Sequence, residues 1–275
     1  MIYALVALGF ILVWNSVNVI NFAQGEFSMV PAFVLATLTG NVGLSPWLAI
    51  PATILFAAVL GVLFSRFVYH PLRKHSMVAV IIATIGVSLF LRNVILAIFG
   101  AEGRPVSPLL SGMVSVRGVT LNKQYIVIIV VASILLAFQY VLFSRTSLGR
   151  RLQATGQNRD MAALLGINTN RMVDLTFAYS AVLGAAAGIL VAPLFGVTTD
   201  LGVAIALKAF ASTVIGGFGS IPGAVLGALT LGLIEIFGAT YISSSYKDAF
   251  AFIMLIGVLL IRPQGIFGER ISQKA

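Results

Sequence analysis

The sequence predicts an all-α, polytopic integral membrane protein with eight or nine transmembrane helices, some of them short or broken. Three observations predict it. Of the 275 residues, 59% are hydrophobic and 9% charged, where a soluble domain carries about 25% charged residues to keep its surface wetted. Mean hydropathy is +1.06, so most of the outer surface must face lipid. The apolar stretches also recur at the right length, since about 30 Å of hydrocarbon takes about 20 helical residues and backbone in lipid must satisfy its own hydrogen bonds.

In chain order the stretches cover residues 2–18, 24–40, 47–67, 77–99, 125–144, 172–195, 203–217, 221–240 and 247–262. The first is preceded by no basic residue, Arg66 being the first in the chain. It lacks the charged region of a secretory signal and reads as a retained span. It begins almost inside the helix, which predicts a missing or very short leader. The first, second, seventh and eighth stretches are short or rich in Gly and polar residues, and are expected to be the broken or re-entrant ones.

Basic residues set the expected orientation. Arg66, Arg73, Lys74, Arg145, Arg150, Arg151, Arg159, Arg171, Arg262, Arg270 and Lys274 fall in one set of loops. Arg104, Arg117, Lys123 and Lys247 fall in the other, and Arg92 and Lys208 lie within spans. The richer set is expected in the cytoplasm, with the C-terminus. No loop is long enough to build a core of its own, so residues 1–275 are expected to form one domain in the lipid bilayer. The net charge of +9 therefore encodes topology, not a nucleic-acid footprint.

Composition also excludes chemistry. There is no Cys, and the two histidines, His70 and His75, fall in the basic loop after the third stretch. That leaves no base at span depth for intramembrane hydrolysis. A phosphate cradle needs a strand before its glycines and a Lys and Ser/Thr after them, and none is present. No catalytic residue, metal or cofactor is expected.

The loop over residues 145–171 carries clear helix punctuation. Ser147 is expected to cap a helix over 148–155 that Gly156 ends in the left-handed conformation. Asn158 is expected to cap a second helix over 159–165, with Asp160 in its first turn and Gly166 closing it, before Thr169 starts the next span. Met161, Ala162, Leu164 and Leu165 are expected on one side of the second helix. Such a helix either lies on the bilayer with its arginines against anionic lipid or enters a groove on a soluble partner. Spacing alone favours the former.

Ionisable groups at membrane depth mark pathways or pair with one another. Glu26, Arg92, Asp174, Lys208 and Glu235 are the candidates. Asp174 and Arg92 are expected to pair or to snorkel from span ends. Lys208 and Glu235 are expected to form an ion pair if the segments around residues 216–223 pack as a hairpin. Asn15, Asn18, Asn21, Gln24 and Glu26 cluster where the first two stretches meet. They belong either to unwound backbone on a substrate path or, the expectation here, to a turn at the cytoplasmic interface. The run GGFGSIPGA at 216–224, with Gly184, Gly188, Gly223, Gly227 and Gly232, is expected to allow a tight reversal and close helix approach.

Five segments together resemble a known family: NVINFAQGEF at 18–27, VYHPLR at 68–73, ATIGVSLFLRN at 83–93, SLGRRLQATGQNRDMAALLGIN at 147–168 and KAFASTVIGGFGSIPGAVLG at 208–227. SSYKD at 244–248 and RPQGIFG at 262–268 add to the match. The chain resembles the branched-chain amino-acid permeases of ATP-binding-cassette importers. The resemblance implies a prokaryotic inner-membrane permease without its own ATP site. Its implied partners are a second, related permease, two ATPase subunits and an extracytoplasmic substrate-binding protein. It further implies that the 147–166 element is the coupling helix that touches an ATPase, carried by Arg150, Arg151, Asn158, Arg159, Asp160, Ala162, Ala163, Leu164 and Gly166. Relatives of this kind serve branched-chain amino acids or urea, amides and organic acids. The alternative from a different class is a self-sufficient channel or ion-coupled carrier using Glu26, Lys208 or Glu235.

Overall fold

The computed structural model describes residues 1–110, 112–116 and 119–267. Arg117, Gly268, Arg270 and Lys274 lie outside the described residues. In order the elements are α1 (Ile2–Val17), a 3-10 turn (Phe22–Gln24), α2 (Glu26–Gly40), α3 (Pro46–Phe64), a π-helical turn (Ser65–Tyr69) and α4 (His70–Leu72). Then come α5 (Met77–Phe99), strands β1 (Met113–Val116) and β2 (Val119–Asn122), α6 (Lys123–Arg145), α7 (Ser147–Gln157) and α8 (Arg159–Leu164). The chain continues as α9 (Thr169–Phe195), α10 (Leu201–Gly216), α11 (Ile221–Tyr241), a 3-10 turn (Ser244–Tyr246) and α12 (Lys247–Ile261).

Boundaries follow local chemistry. Ser76, Asn122, Asn158, Asn168 and Ser220 each accept a backbone N–H at the start of α5, α6, α8, α9 and α11, satisfying donors that have no partner inside the helix. Gly100, Gly196 and Gly217 follow α5, α9 and α10 at φ 79°, 73° and 101°, a region that costs other residues.

Among the described residues six helices are long and apolar enough to cross a bilayer: Pro46–Leu72, Met77–Phe99, Lys123–Arg145, Thr169–Phe195, Ile221–Tyr241 and Ser244–Ile261. The fold is thus a polytopic helical membrane protein. α1, α2 and α10, at 16, 15 and 16 residues, reach only about 24 Å at 1.5 Å per residue and are the short members. One expectation needs correction. The eighth stretch is not broken: α11 runs 21 residues without interruption, because Pro222 sits in its first turn, where a missing N–H costs nothing. The all-helical architecture carries one short hairpin in the loop before α6, where β1 and β2 pair antiparallel from Met113↔Asn122 to Val116↔Val119. The loop containing them is tied to the chain beyond α9 by a bridge between Arg104 and Val197.

Core and periphery are sorted by sequence in an inverted way. α1 is buried from Ala4 through Val13, as an all-round apolar helix should be when protein surrounds it. It packs against α9, α10 and α11. Lipid tails are as apolar as leucine, so tight packing, not hydrophobicity, holds such helices together. Accordingly α9 meets α2 through Gly184 and Gly188, where an added methyl would strike the backbone of Phe27 and Ser28. Gly216, Gly223 and Gly227 do the same for α10 against α11. Gly232 departs from the expected set, since its surroundings are open.

α1, α6, α10 and α12 run towards the end of the molecule that carries α7 and α8, and α2, α5, α9 and α11 run away from it. Residues 262–267 return to that end, where Ile266 and Phe267 donate to the carbonyls of Ile215 and Gly216.

Candidate functional site

Two places gather the polar residues that the apolar bulk leaves over. The first is the break between α1 and α2. α1 stops at Asn18, whose φ of 53° is left-handed, a conformation asparagine tolerates better than most residues. Its N–H closes on Trp14 O at 2.8 Å, and Asn15 Nδ2 donates to Gly219 O at 3.0 Å. Both asparagines line a wide cavity of about 790 Å³ at the α7–α8 end, together with Gln153 and Gly219.

From there the chain turns back inward. Asn21 is buried and its Oδ1 accepts from Ala23 N, starting the 3-10 turn. Phe22 N donates to Thr84 Oγ1 at 3.1 Å. Gln24 Nε2 donates to Ser180 O at 3.2 Å, and the Ser180 hydroxyl lies 2.7 Å from Gln24 Oε1 and 3.0 Å from Gly9 O. A side chain at Gly9 would occupy the space of the Gln24 amide, and one at Gly25 would strike the Gly202 carbonyl. Glu26 then opens α2, its Oε1 accepting from Ser88 Oγ at 2.9 Å.

Depth follows from the partners. Ser88 lies eleven residues past Met77 in the 23-residue α5, and Ser180 eleven past Thr169 in the 27-residue α9. At 1.5 Å per residue each is about 16 Å into its helix. Gln24 and Glu26 are therefore near mid-depth, and the expected interfacial turn is corrected: Asn15 and Asn18 lie at the helix ends, while Asn21, Gln24 and Glu26 are carried inward. Irregular backbone at this depth is tolerated only when buried in protein or facing a cavity. Both conditions hold, since a second cavity of about 280 Å³ lies beside Glu26 and Ser88.

Lys208 and Glu235 are elsewhere. α10 and α11 do pack as a hairpin, and Lys208 Nζ lies 2.5 Å from Glu235 Oε1 and 2.7 Å from Asp248 Oδ1. Lys247 Nζ reaches Glu235 at 3.3 Å. The expected ion pair forms, as one part of a four-residue network clamping α10, α11 and α12. Arg92 pairs with Asp200, and Asp174 accepts from Ser65, Arg66 and His70, as expected for groups near span ends.

The second place is the α7–α8 element. Thr146, not Ser147, caps the first helix, its Oγ1 accepting from Gly149 N at 3.1 Å. Gly156 does not end it in the left-handed conformation. It stays helical and lies against the Asn15 carbonyl, where any side chain would collide, and α7 continues to Gln157. Asn158 caps α8 as expected, accepting from Asp160 N and Met161 N, and Gly166 closes it at φ 77°. The expected one-sided apolar face splits. Ala162 is buried, whereas Met161, Leu164 and Leu165 are 60%, 82% and 79% exposed. At about 100° per residue, positions 161 and 164 point about 100° and 160° away from 162.

Arg150, Arg151, Asp160 and Ala163 are exposed. Arg159 turns to the body of the protein, 3.4 Å from Tyr69 Oη and 3.2 Å from Asn170 Oδ1. Asn170 also takes Arg73 Nη1 at 2.6 Å. Arg159, Ala162, Asn158 and Gly166 thus hold α8, from which Asp160, Ala163 and Leu164 face outward, as Arg150 and Arg151 do from α7.

Thr84, Ser88 and Ser180 were not singled out in the sequence. The signal was present: Thr84, Ser88 and Arg92 recur every four residues and so share one face of α5.

With this geometry in place, comparison with known proteins is informative. Residues 1–259 match the family model described as the permease component of branched-chain amino acid transport systems. The chain is similar to the high-affinity branched-chain amino acid transport system permease protein BraD of Pseudomonas aeruginosa, at 38% identity over 97% of this chain and 92% of that protein. It is likewise similar to the corresponding permease protein LivH of Escherichia coli K12, at 34% identity over 97% and 91%. The autoinducer 2 import system permease protein LsrC of Shigella flexneri is 30% identical over 94% and 75%. No solved structure matches.

Proposed function

Because the chain belongs to the family of permease components of branched-chain amino acid transport systems, we propose that it forms half of the translocation pathway of an ATP-driven importer of branched-chain amino acids. The observation that carries this reading is the α1–α2 break, a polar, partly unwound segment at mid-depth beside a cavity. Broken helices of this kind supply substrate sites in other transporters. The other half of the pathway comes from a second, related permease. Energy comes from two ATPase subunits, and solute from an extracytoplasmic binding protein.

The short helices α1, α2 and α10 complete nine membrane segments within one domain spanning residues 1–275. The α7–α8 end, with Arg145, Arg150, Arg151, Arg159 and Arg171, is cytoplasmic by the distribution of basic residues, and the C-terminus lies there too. α8 is the coupling contact. Its exposed Met161, Leu164 and Leu165 have the apolar character that a groove on an ATPase accepts, and its inward contacts through Arg159 pass movement to the π-helical turn after α3 and to α9. ATP acts by binding one arrangement of the membrane helices better than the other. Lys208 and Glu235 serve as a structural clamp, not as pathway groups, because both are engaged by neighbours.

Reconstitution tests the proposal. Leucine uptake into proteoliposomes holding both permeases should require the ATPases, ATP and binding protein together. Uptake by this chain alone down a proton or sodium gradient would instead establish an ion-coupled carrier.

A further inference from the structure

At mid-depth Glu26 presents acceptor capacity that its neighbours leave unused. The side chain is 1% exposed, Oε1 is taken by Ser88, and Oε2 is buried with no hydrogen-bond partner among the described residues. A buried carboxylate oxygen without a donor is costly, and an ionisable group held inside a membrane protein at such cost marks a functional site. Arg92, one turn further along α5, gives Oε2 no hydrogen bond, being engaged by Asp200.

The cavity of about 280 Å³ that Glu26 and Ser88 line is otherwise apolar. Its inner wall is aromatic: Phe210 lies 5.9 Å from Phe10 and 5.8 Å from Phe22 between ring centroids. Its mouth lies between α5 and α10 past Ile85, Leu89 and Leu207, all of them exposed. The volume is near the lower bound of about 300 Å³ for small-molecule sites. One unpartnered carboxyl oxygen at the end of a small apolar chamber complements a small solute with one ammonium group and a compact apolar side chain. A sugar could give one or two hydroxyls to the carboxylate but would leave the rest unpaired against apolar walls.

We propose that Glu26, held by Ser88, is the mid-membrane receptor for the α-ammonium group of the transported amino acid, whose branched side chain rests against Phe10, Phe22 and Phe210. This rests on the permease reading and adds to it the residue that reads the solute's positive charge.

The absence of cysteine from the chain makes the test clean. Val203, which lines the cavity, is replaced as Val203→Cys in a permease pair otherwise free of cysteine, and alkylation by a membrane-permeant maleimide is timed. Leucine should slow labelling, and 4-methylpentanoate, the same molecule without the amino group, should not. In the Glu26→Gln background leucine protection should fall about tenfold, since a buried charge pair loses at least that much when one partner is removed, and Glu26→Asp should restore part of it. Equal protection by both compounds, or full protection in Glu26→Gln, overturns the assignment. Maximal uptake by the complete transporter is measured in parallel. Glu26→Gln with wild-type uptake would overturn the role of Glu26 while leaving the permease reading standing. ATP-independent uptake by the wild-type chain would overturn the permease reading, and the labelling result would still decide the ammonium site.

Discussion

Lys208 and Glu235 show how a single charge is kept inside this protein. Their side chains are 12% and 2% exposed, too little for water to compensate either if the other is lost. Breaking such a pair from one side leaves an uncompensated charge and costs about 3–5 kcal/mol, whereas replacing both partners by apolar groups of like size is close to neutral. Lys208→Met alone should therefore lower the melting temperature in detergent substantially, and Lys208→Met with Glu235→Leu should recover most of the loss. A double variant as unstable as the single one would mean that the network matters through its hydrogen bonds to Asp248 and Lys247. Glycines divide in the same residue-by-residue way. Gly188→Ala drives a methyl into the Ser28 carbonyl and should cost about 1–3 kcal/mol as overpacking does. Gly232→Ala, with open surroundings, should be neutral or should stabilise by up to about 1 kcal/mol through helix propensity.

Among the elements, α8 is short enough that each position has one assignment. Ala162 is buried and Leu164 is 82% exposed, so Leu164→Asp should leave the permease folded and abolish co-purification with the ATPase. Ala162→Asp should unseat the helix itself and lower thermal stability. Arg159→Glu should behave like the second class, because Arg159 bonds to Tyr69 and Asn170 within the chain. Stability lost with ATPase binding for Leu164→Asp would show that the exposed face packs within the permease instead. This sorting of α8 was only partly legible in the sequence. Caps at Asn158 and Gly166 are local chemistry, readable from residue type. The inward side of a six-residue helix depends on its neighbours, which no internal period records. Gly156 misled for the same reason: glycine serves equally to end a helix and to let another backbone approach, and the Asn15 carbonyl that decides between them is far away in sequence. The re-entry of residues 18–26 was hidden too, because the partners that fix its depth, Ser88 and Ser180, are ordinary residues within apolar spans.

For the whole molecule, hydropathy and length were enough to locate the six helices long enough to cross a bilayer, since lipid leaves the backbone few alternatives. They could not give the arrangement, in which the most apolar short helix, α1, is interior while α5, α6 and α12 are largely exposed. Helices long enough to span but poorly covered by protein leave an apolar surface for lipid or for the proposed second permease, and the cavity beside Glu26 opens along one of them, α5. The reading as an importer depends above all on the α7–α8 end facing the cytoplasm, where a motor can reach it. Leu164→Cys, the sole thiol in the chain, measures this directly with a membrane-impermeant maleimide. Labelling only in inside-out vesicles, and its suppression when the ATPase subunits are added back, is the predicted result. Labelling from the outside of right-side-out vesicles would contradict the account.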